Sequence, residues 1–310
     1  MIVDVNHLTK RFDRKKDAFT AVDAINFSIG AGESVAFIGP NGAGKSTTLK
    51  MLTGLLHPTS GQATVAGFTP WQQRQKLAYE IGIVFGQRSQ LWYHLPVRDS
   101  FNLLSKIYDV SNSDYRSRLK HLVDILQIDH LIDQTVKSLS LGQRMRCEIA
   151  ASLLHKPRVL FLDEPTIGLD VTGKALLREH LKHIANTEET TIMLTSHDTG
   201  DIEEICERVI LINHGHILMD KPLAKLRAEF LSSKHITLVT DEETPQAEFN
   251  GATVIKRERH RVTLAVDQTP HAINHVVTQA LQTLSVRDLS IENTPLETII
   301  RDLYGEKQSS

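Results

Sequence analysis

Four runs of the chain are apolar throughout instead of alternating: residues 34–39 (SVAFIG), Val159–Asp163 (VLFLD), residues 190–196 (TTIMLTS) and residues 209–212 (VILI). Strands covered on both faces read this way, as the strands of a parallel sheet do. Between the runs, apolar residues recur at helical spacing over 46–56, 97–108, 114–126, 141–154 and 172–185. Strands and helices in alternation predict an α/β sheet with helices on both sides. Three of the apolar runs end at residues with chemistry: a Gly-rich loop after 39, Asp163 with Glu164, and His197. Ligands of such sheets bind beyond the carboxyl ends of the strands, where these residues sit.

The pattern changes near residue 230. After Ser232 and Ser233 come short strand-like pieces at 235–240, Ala252–Glu258 and 261–266. A helical stretch at 271–284, a strand at 286–291 and a last helix at 296–304 follow. This order predicts a small α+β appendage. The expected domains are 1–230 and 231–305, with 306–310 (EKQSS) as a disordered tail. Two domains suit a chain of 310 residues.

Composition excludes several classes. A net charge of −2 gives no global basic field for nucleic acid. The densest basic cluster, Lys10, Arg11, Arg14, Lys15 and Lys16, reads as a solvated loop. Cys147 and Cys206 have no disulfide-framework spacing, which suits a reducing compartment. The amino terminus lacks a signal-peptide pattern. No apolar run approaches the ~18–20 residues that span a bilayer. A protein of the cytoplasm is expected, one that can dock on a membrane partner.

Two motifs carry the chemistry. GPNGAGKST, residues 39–47, fits G-x-x-x-x-G-K-[ST] between a strand and a helix. Its candidate ligands are Gly39, Pro40, Asn41, Gly42, Ala43, Gly44, Lys45, Ser46 and Thr47. The glycines let backbone N–H groups turn toward phosphate oxygens at a helix N-terminus. Lys45 is expected to reach the β- and γ-phosphates, and Ser46 to ligate Mg²⁺. VLFLDEP, residues 159–165, brings two carboxylates to a strand end. Neighbouring strand residues face opposite ways, so Asp163 and Glu164 can take different tasks. Asp163 is the candidate Mg²⁺ ligand, and Glu164 the candidate base that polarises an attacking water.

In order, the phosphate loop, LSLGQ (139–143), VLFLDEPTIGLD (159–170) and TSH (195–197) resemble the nucleotide-binding subunit of an ATP-binding cassette (ABC) transporter. The likeness spans residue 2 to about 230. It implies an ABC-type phosphate-loop NTPase domain with a helical subdomain, and ATP with Mg²⁺. It further implies that Phe12 stacks on adenine, with Phe19 as a competing candidate. Gln87 matches a glutamine that senses Mg²⁺ and γ-phosphate. Gly168, Leu169 and Asp170 match a loop that crosses the dimer interface, and His197 a histidine that contacts the γ-phosphate. Ser140, Gly142 and Gln143 match the segment that meets the partner copy's nucleotide. Leu141 stands where the family pattern has glycine, which is tolerable if its φ stays negative and its side chain points away from the nucleotide. The implied assembly is a head-to-tail homodimer around two ATP molecules, driving separate permease subunits at the cytoplasmic face of the membrane.

The stretch 84–110 resembles drug and viologen exporter ATPases, and the end IENTPLETIIRDLYG resembles the daunorubicin-resistance exporter group. An exporter of drug-like or cationic compounds is the expected system. Trp92 and Tyr93 either meet the membrane partner or pack in the core. Two other readings stay open: an ABC ATPase of translation or DNA repair, and an inactive regulatory module. The first usually has two cassettes or a coiled-coil insertion, and neither pattern occurs here. Against the second, Lys45, Asp163, Glu164 and His197 are all present. The helical pairs His271/His275 and His180/His183 lack the further ligands of a metal site. Cys147 reads as a small core residue.

Overall fold

The computed structural model describes residues 1–13, 18–86, 89–188, 190–230, 233–243, 248–293 and 296–305. They form two compact units, Met1–Leu223 and Ala224–Ser310.

The first unit is built on a six-stranded sheet. Its strands are β3 (Ser34–Ile38), β5 (Ile81–Phe85), β6 (Val159–Asp163), β7 (Thr191–Thr195), β8 (Arg208–Asn213) and β9 (His216–Pro222), in the order β5-β6-β7-β3-β8-β9. All neighbours run parallel except β9, which returns antiparallel on β8. β3 and β7 are buried along their whole length, as the unbroken apolar runs predict. Val35, Phe37, Val159 and Phe161 point into one core layer, while Ala36, Leu160 and Leu162 occupy the other face. Each fully buried side chain of this size contributes about 1.5–3 kcal/mol, so the strand ends that carry the site are firmly anchored.

A second, antiparallel sheet closes the first core layer. It contains β1 (Val3–Asp13), β2 (Ala18–Ile29) and β4 (Ser60–Val65), ordered β2-β1-β4. Val3, Val5, Leu8, Ile25 and Phe27 join Leu49 and Leu52 of α1 (Lys45–Leu52) in the cluster that holds Phe37 and Phe161. The hydrophobic pattern does not reveal β1 and β2, because register shifts follow Val5 and Leu8 and break the alternation. His7 and Ala24 take positive φ, 48° and 45°, at these irregularities.

The short α2 (Arg74–Ala78) precedes β5, and between β5 and β6 lies a helical region with α3 (Val97–Ile107), α4 (Asn112–Leu126) and α5 (Leu141–Leu153). Helix α6 (Val171–Thr187) and the short α7 (Thr199–Ile205) flank β7. The helices stand within about two residues of the expected spans. α1 ends earlier than expected, at Leu52, before a turn through Gly54 at φ 71°.

The second unit begins inside α8 (Leu223–Phe230). It holds an antiparallel sheet of order β11-β12-β10-β13, from β10 (Ser233–Thr240), β11 (Ala252–Glu258), β12 (Arg261–Asp267) and β13 (Val286–Asn293). Helix α9 (Pro270–Thr283) lays Val276 and Ala280 on Ile236, Leu238, Val262 and Leu264. Thr269 caps α9 and Pro270 occupies its first turn, where a missing N–H costs nothing. A last helix spans Leu296–Gly305. The expected tail at 306–310 lies outside the described residues.

Candidate functional site

Strands β6, β7 and β3 are neighbours, so their carboxyl ends meet at one place. There a pocket of about 920 Å³ is lined by Asn41, Gly42, Gly44, Lys45, Ser46, Thr47, Asp163, Glu164 and His197. Phe12 and Phe19 line it too. They face each other across β1 and β2 and are 36% and 55% exposed. Both rings are therefore open to a base. Lys10 Nζ lies 5.2 Å from the centre of the Phe12 ring, which leaves Phe12 fixed from one side.

The phosphate loop depends on glycine. Gly44 caps α1 at φ 111°, and a Cβ there would lie 2.6 Å from Ala21 O. A Cβ on Gly39 would lie 2.2 Å from Ile212 O, so this backbone presses directly on β8. Lys45 Nζ donates to Gly39 O at 2.6 Å and to Pro40 O at 3.2 Å. Ala43 is buried and supports the loop from beneath. Burial pulls the Lys45 ammonium pKa down, against the attraction of Glu164 and Asp163.

Asp163 is held by Thr195, whose Oγ1 donates to Oδ1 at 2.7 Å. Ser46 Oγ lies 3.5 Å from the same oxygen. A hydroxyl and a carboxylate facing each other suit a hard, oxygen-seeking divalent cation. These residues fit Mg²⁺.

Glu164 differs from expectation. β6 ends at Asp163, and Glu164 has φ 55°, in the left-handed region. Strand alternation therefore does not separate the two carboxylates; a turn does, and both line the same pocket. Its N–H donates to Thr195 O at 3.1 Å. Among the described residues its buried Oε1 has no hydrogen-bond partner, though it lies 3.2 Å from His197 Nε2. His197 Nε2 is also 3.3 Å from Lys45 Nζ. Burial pushes the Glu164 carboxyl pKa up, against the pull of His197 and Lys45. A buried acceptor left unsatisfied beside a cation is poised to take a donor such as water.

Ser140, Gly142, Gln143 and Asp170 lie elsewhere. They line a second pocket of about 450 Å³ with Leu141, Gly168 and Leu169, and it shares no lining residue with the first. Ser140 and Gln143 form a reciprocal capping box on α5: Ser140 Oγ accepts from Gln143 N at 3.3 Å, and Gln143 Oε1 accepts from Ser140 N at 2.9 Å. A hydroxyl that accepts in a cap still has its hydrogen to donate. Asp170 caps α6 through Gly173 N at 2.8 Å. Leu141 is the first residue of α5 and is not among the positive-φ positions. Its Cδ2 rests over Gly168, where a Cβ would come within 2.9 Å. The leucine therefore packs on the 168–170 loop.

Gln87 lies outside the described residues, as do Arg14, Lys15 and Lys16. The segment just after it is tied to α5: Ser89 Oγ donates to the buried Glu148 carboxylate, and Gln90 N donates to Glu148 Oε2 at 3.1 Å. Trp92 and Tyr93 are 38% and 49% exposed. Cys147 is buried, and burial pushes its thiol up to about 12. Among the described residues no His, Cys, Asp and Glu group could hold a metal by itself. Sequence reasoning missed Thr195 as a site residue. Thr195 is in the TSH segment, but a strand threonine carries no signal of its own.

Comparison with known proteins bears on this geometry. The family model described as "ABC transporter" matches residues 22–167. ABC transporter ATP-binding protein NatA of Bacillus subtilis is 30% identical over 73% of this chain and 91% of its own length. Bacitracin transport ATP-binding protein BcrA of Bacillus licheniformis is 31% identical over 73% of this chain and 71% of its own. Among solved structures, the dimeric post-hydrolysis state of the ATP-binding cassette MJ0796, bound to ADP and Pi, superposes with a TM-score of 0.64. It is 25% identical and covers 71% of this chain and 98% of the cassette. With this fold and these relatives, the chain belongs to the ATP-binding proteins of the ABC transporter family, ATPases that work on ATP with Mg²⁺.

Proposed function

We propose that two copies of this chain close head to tail around two ATP molecules and so drive a separate membrane permease. The observation that carries this reading is the separation of the two pockets within one copy. The first is lined by Lys45, Asp163, Glu164, His197 and the rings of Phe12 and Phe19; the second is lined by the capped first turns of α5 and α6, with Ser140, Gln143, Arg146 and Asp170. A head-to-tail pair brings one copy's second pocket over the other's first, and two-fold symmetry makes both composite sites alike. Val171, next to Asp170 of the second pocket, is 86% exposed, and Ile167, which lines the first, is 43% exposed, as surfaces awaiting a partner would be.

Within each composite site, Phe12 or Phe19 stacks the base, and residues 39–47 cradle the phosphates. Lys45 offsets their charge. Ser46 and Asp163, with Gln87 as the expected further ligand, would hold Mg²⁺, which would neutralise charge at the phosphates. Glu164 accepts a proton from the attacking water, and His197 faces the γ-phosphate. Ser140 and the Gly142 N–H meet that phosphate from the other copy. ATP then favours the closed pair and its hydrolysis the open one, a difference in binding that can shift the permease between two states. Among the described residues no helix is long and apolar enough to cross a membrane; a permease on a separate chain is part of this proposal. Transport of bacitracin by the system of BcrA supports export of drug-like or cationic compounds. Residues 231–305 are read as an accessory domain, and the working place as the cytoplasmic face of the membrane.

Glu164→Gln tests the reading. The variant should hydrolyse ATP about 10²–10⁴-fold more slowly, and it should elute as a dimer with ATP and as a monomer with ADP. Wild-type turnover, or an elution volume indifferent to ATP, contradicts it.

A further inference from the structure

Asp201 on α7 is fully buried. Its carboxylate accepts from three segments of the chain. Oδ2 takes Thr166 Oγ1 at 2.5 Å and Ser196 Oγ at 2.5 Å, and Oδ1 takes Arg178 Nε at 2.7 Å. Thr166 stands two residues after Glu164, and Ser196 directly before His197. One side chain thus ties together the two turns that deliver Glu164 and His197 to the pocket.

The turn at Glu164 needs such a tie. A left-handed conformation is costly for a non-glycine residue, and it persists where the surroundings over-determine it. Upstream, Glu164 N is bonded to Thr195 O, and Asp163 to Thr195 Oγ1. Downstream, Thr166 is bonded to Asp201. Ser196 lengthens the same network: its Oγ accepts from Asp198 N at 3.0 Å. Arg178, itself mostly buried, matches the negative charge, and also pairs with Asp198 at 2.8 Å and Glu204 at 3.4 Å. A buried carboxylate so fully partnered is strong and directional.

We propose that Asp201 is a positioning residue for ATP hydrolysis, which holds Glu164 and His197 in register through Thr166 and Ser196 without touching the nucleotide. The proposal rests on the reading of Glu164 as the base. A misplacement near 1 Å can lower turnover by up to about 10²-fold, so a tie of this kind is felt in kcat rather than in nucleotide binding.

The test measures steady-state kcat and KM for ATP in the full chain carrying Asp201→Asn, and separately Thr166→Val with Ser196→Ala, which leaves the Asp201–Arg178 pair in place. Each set is repeated in the Glu164→Gln background under single turnover. Folded variants should lose about ten-fold in kcat while KM stays within about two-fold, and each set should slow Glu164→Gln by clearly less than it slows the wild-type chain, because only the placement of His197 is then left to lose. If the folded variants keep the wild-type kcat while Glu164→Gln is slow, Asp201 is not a positioning residue. An equal further loss in the Glu164→Gln background would show a general structural role and also overturn the proposal. Wild-type turnover by Glu164→Gln itself would overturn the reading beneath it. Should Asp201→Asn fail to fold, the Thr166 and Ser196 pair decides the matter with the same outcomes.

Discussion

The two pockets of the first unit are made from different parts. The larger rests on three adjacent strand ends and closes on Lys45, Asp163, Glu164 and His197, each held by a named neighbour. The smaller is made from the first turns of α5 and α6, capped by Ser140 and Asp170. Strand ends in a buried sheet can place charges in fixed positions. Capped helix starts offer donors and a favourable dipole to an anion that something else holds. In the proposed head-to-tail pair, the larger pocket binds the nucleotide by itself and the smaller completes the binding. Division of labour between copies follows from that difference in construction.

The largest test of the contrast sets Lys45→Ala beside Ser140→Ala. Lys45→Ala should lower turnover by at least about 10²–10³-fold and weaken ATP binding to the isolated copy. Ser140→Ala should lower turnover while titration of a monomer with ATP gives an unchanged Kd. Equal loss of monomer binding in both would erase the distinction between the pockets.

The fold of the first unit was legible wherever apolar runs were unbroken. β3, β6 and β7 appear almost residue for residue, because burial on both faces leaves no polar position to confuse the period. β1 and β2 were not legible, since bulges at His7 and Ala24 shift the alternation midway. The motif residues in the larger pocket were legible because phosphate binding fixes residue types at fixed spacing. Asp201 was not, because three partners far apart in sequence give it its place, and no local pattern records them. Glu164 shows the intermediate case. Its identity could be read from VLFLDEP, but its left-handed turn could not, and the inference from strand alternation failed there.

A second, smaller test concerns pH. Burial raises the Glu164 pKa, so its base form is lost at a higher pH than for an ordinary glutamate near about 4.3. As pH falls, kcat should therefore decline with a midpoint above that value. The limb should vanish in the residual single-turnover rate of Glu164→Gln. A limb at the ordinary value, or one that survives in the variant, would assign it to another group.

The smallest effect separates Phe12 from Phe19. An aromatic contact contributes about 0.5–1.5 kcal/mol beyond its buried area, so removing the ring that stacks on the base should weaken ATP binding about two- to ten-fold, with little change in GTP-to-ATP preference. Phe12→Ala and Phe19→Ala, titrated in parallel, show which ring serves. No loss in either variant would detach the aromatic pair from the nucleotide.

The central claim is that each working site is completed by a second copy, and complementation tests it most directly. Lys45→Ala and Ser140→Ala copies, each slow by itself, are mixed and their ATPase rate is followed. In a mixed dimer the Ser140→Ala copy offers an intact phosphate loop to the intact LSLGQ segment (139–143) of the Lys45→Ala copy, so one whole site forms. The account predicts that the mixture hydrolyses ATP well above the sum of the two separate rates. A rate equal to that sum at every mixing ratio would contradict it.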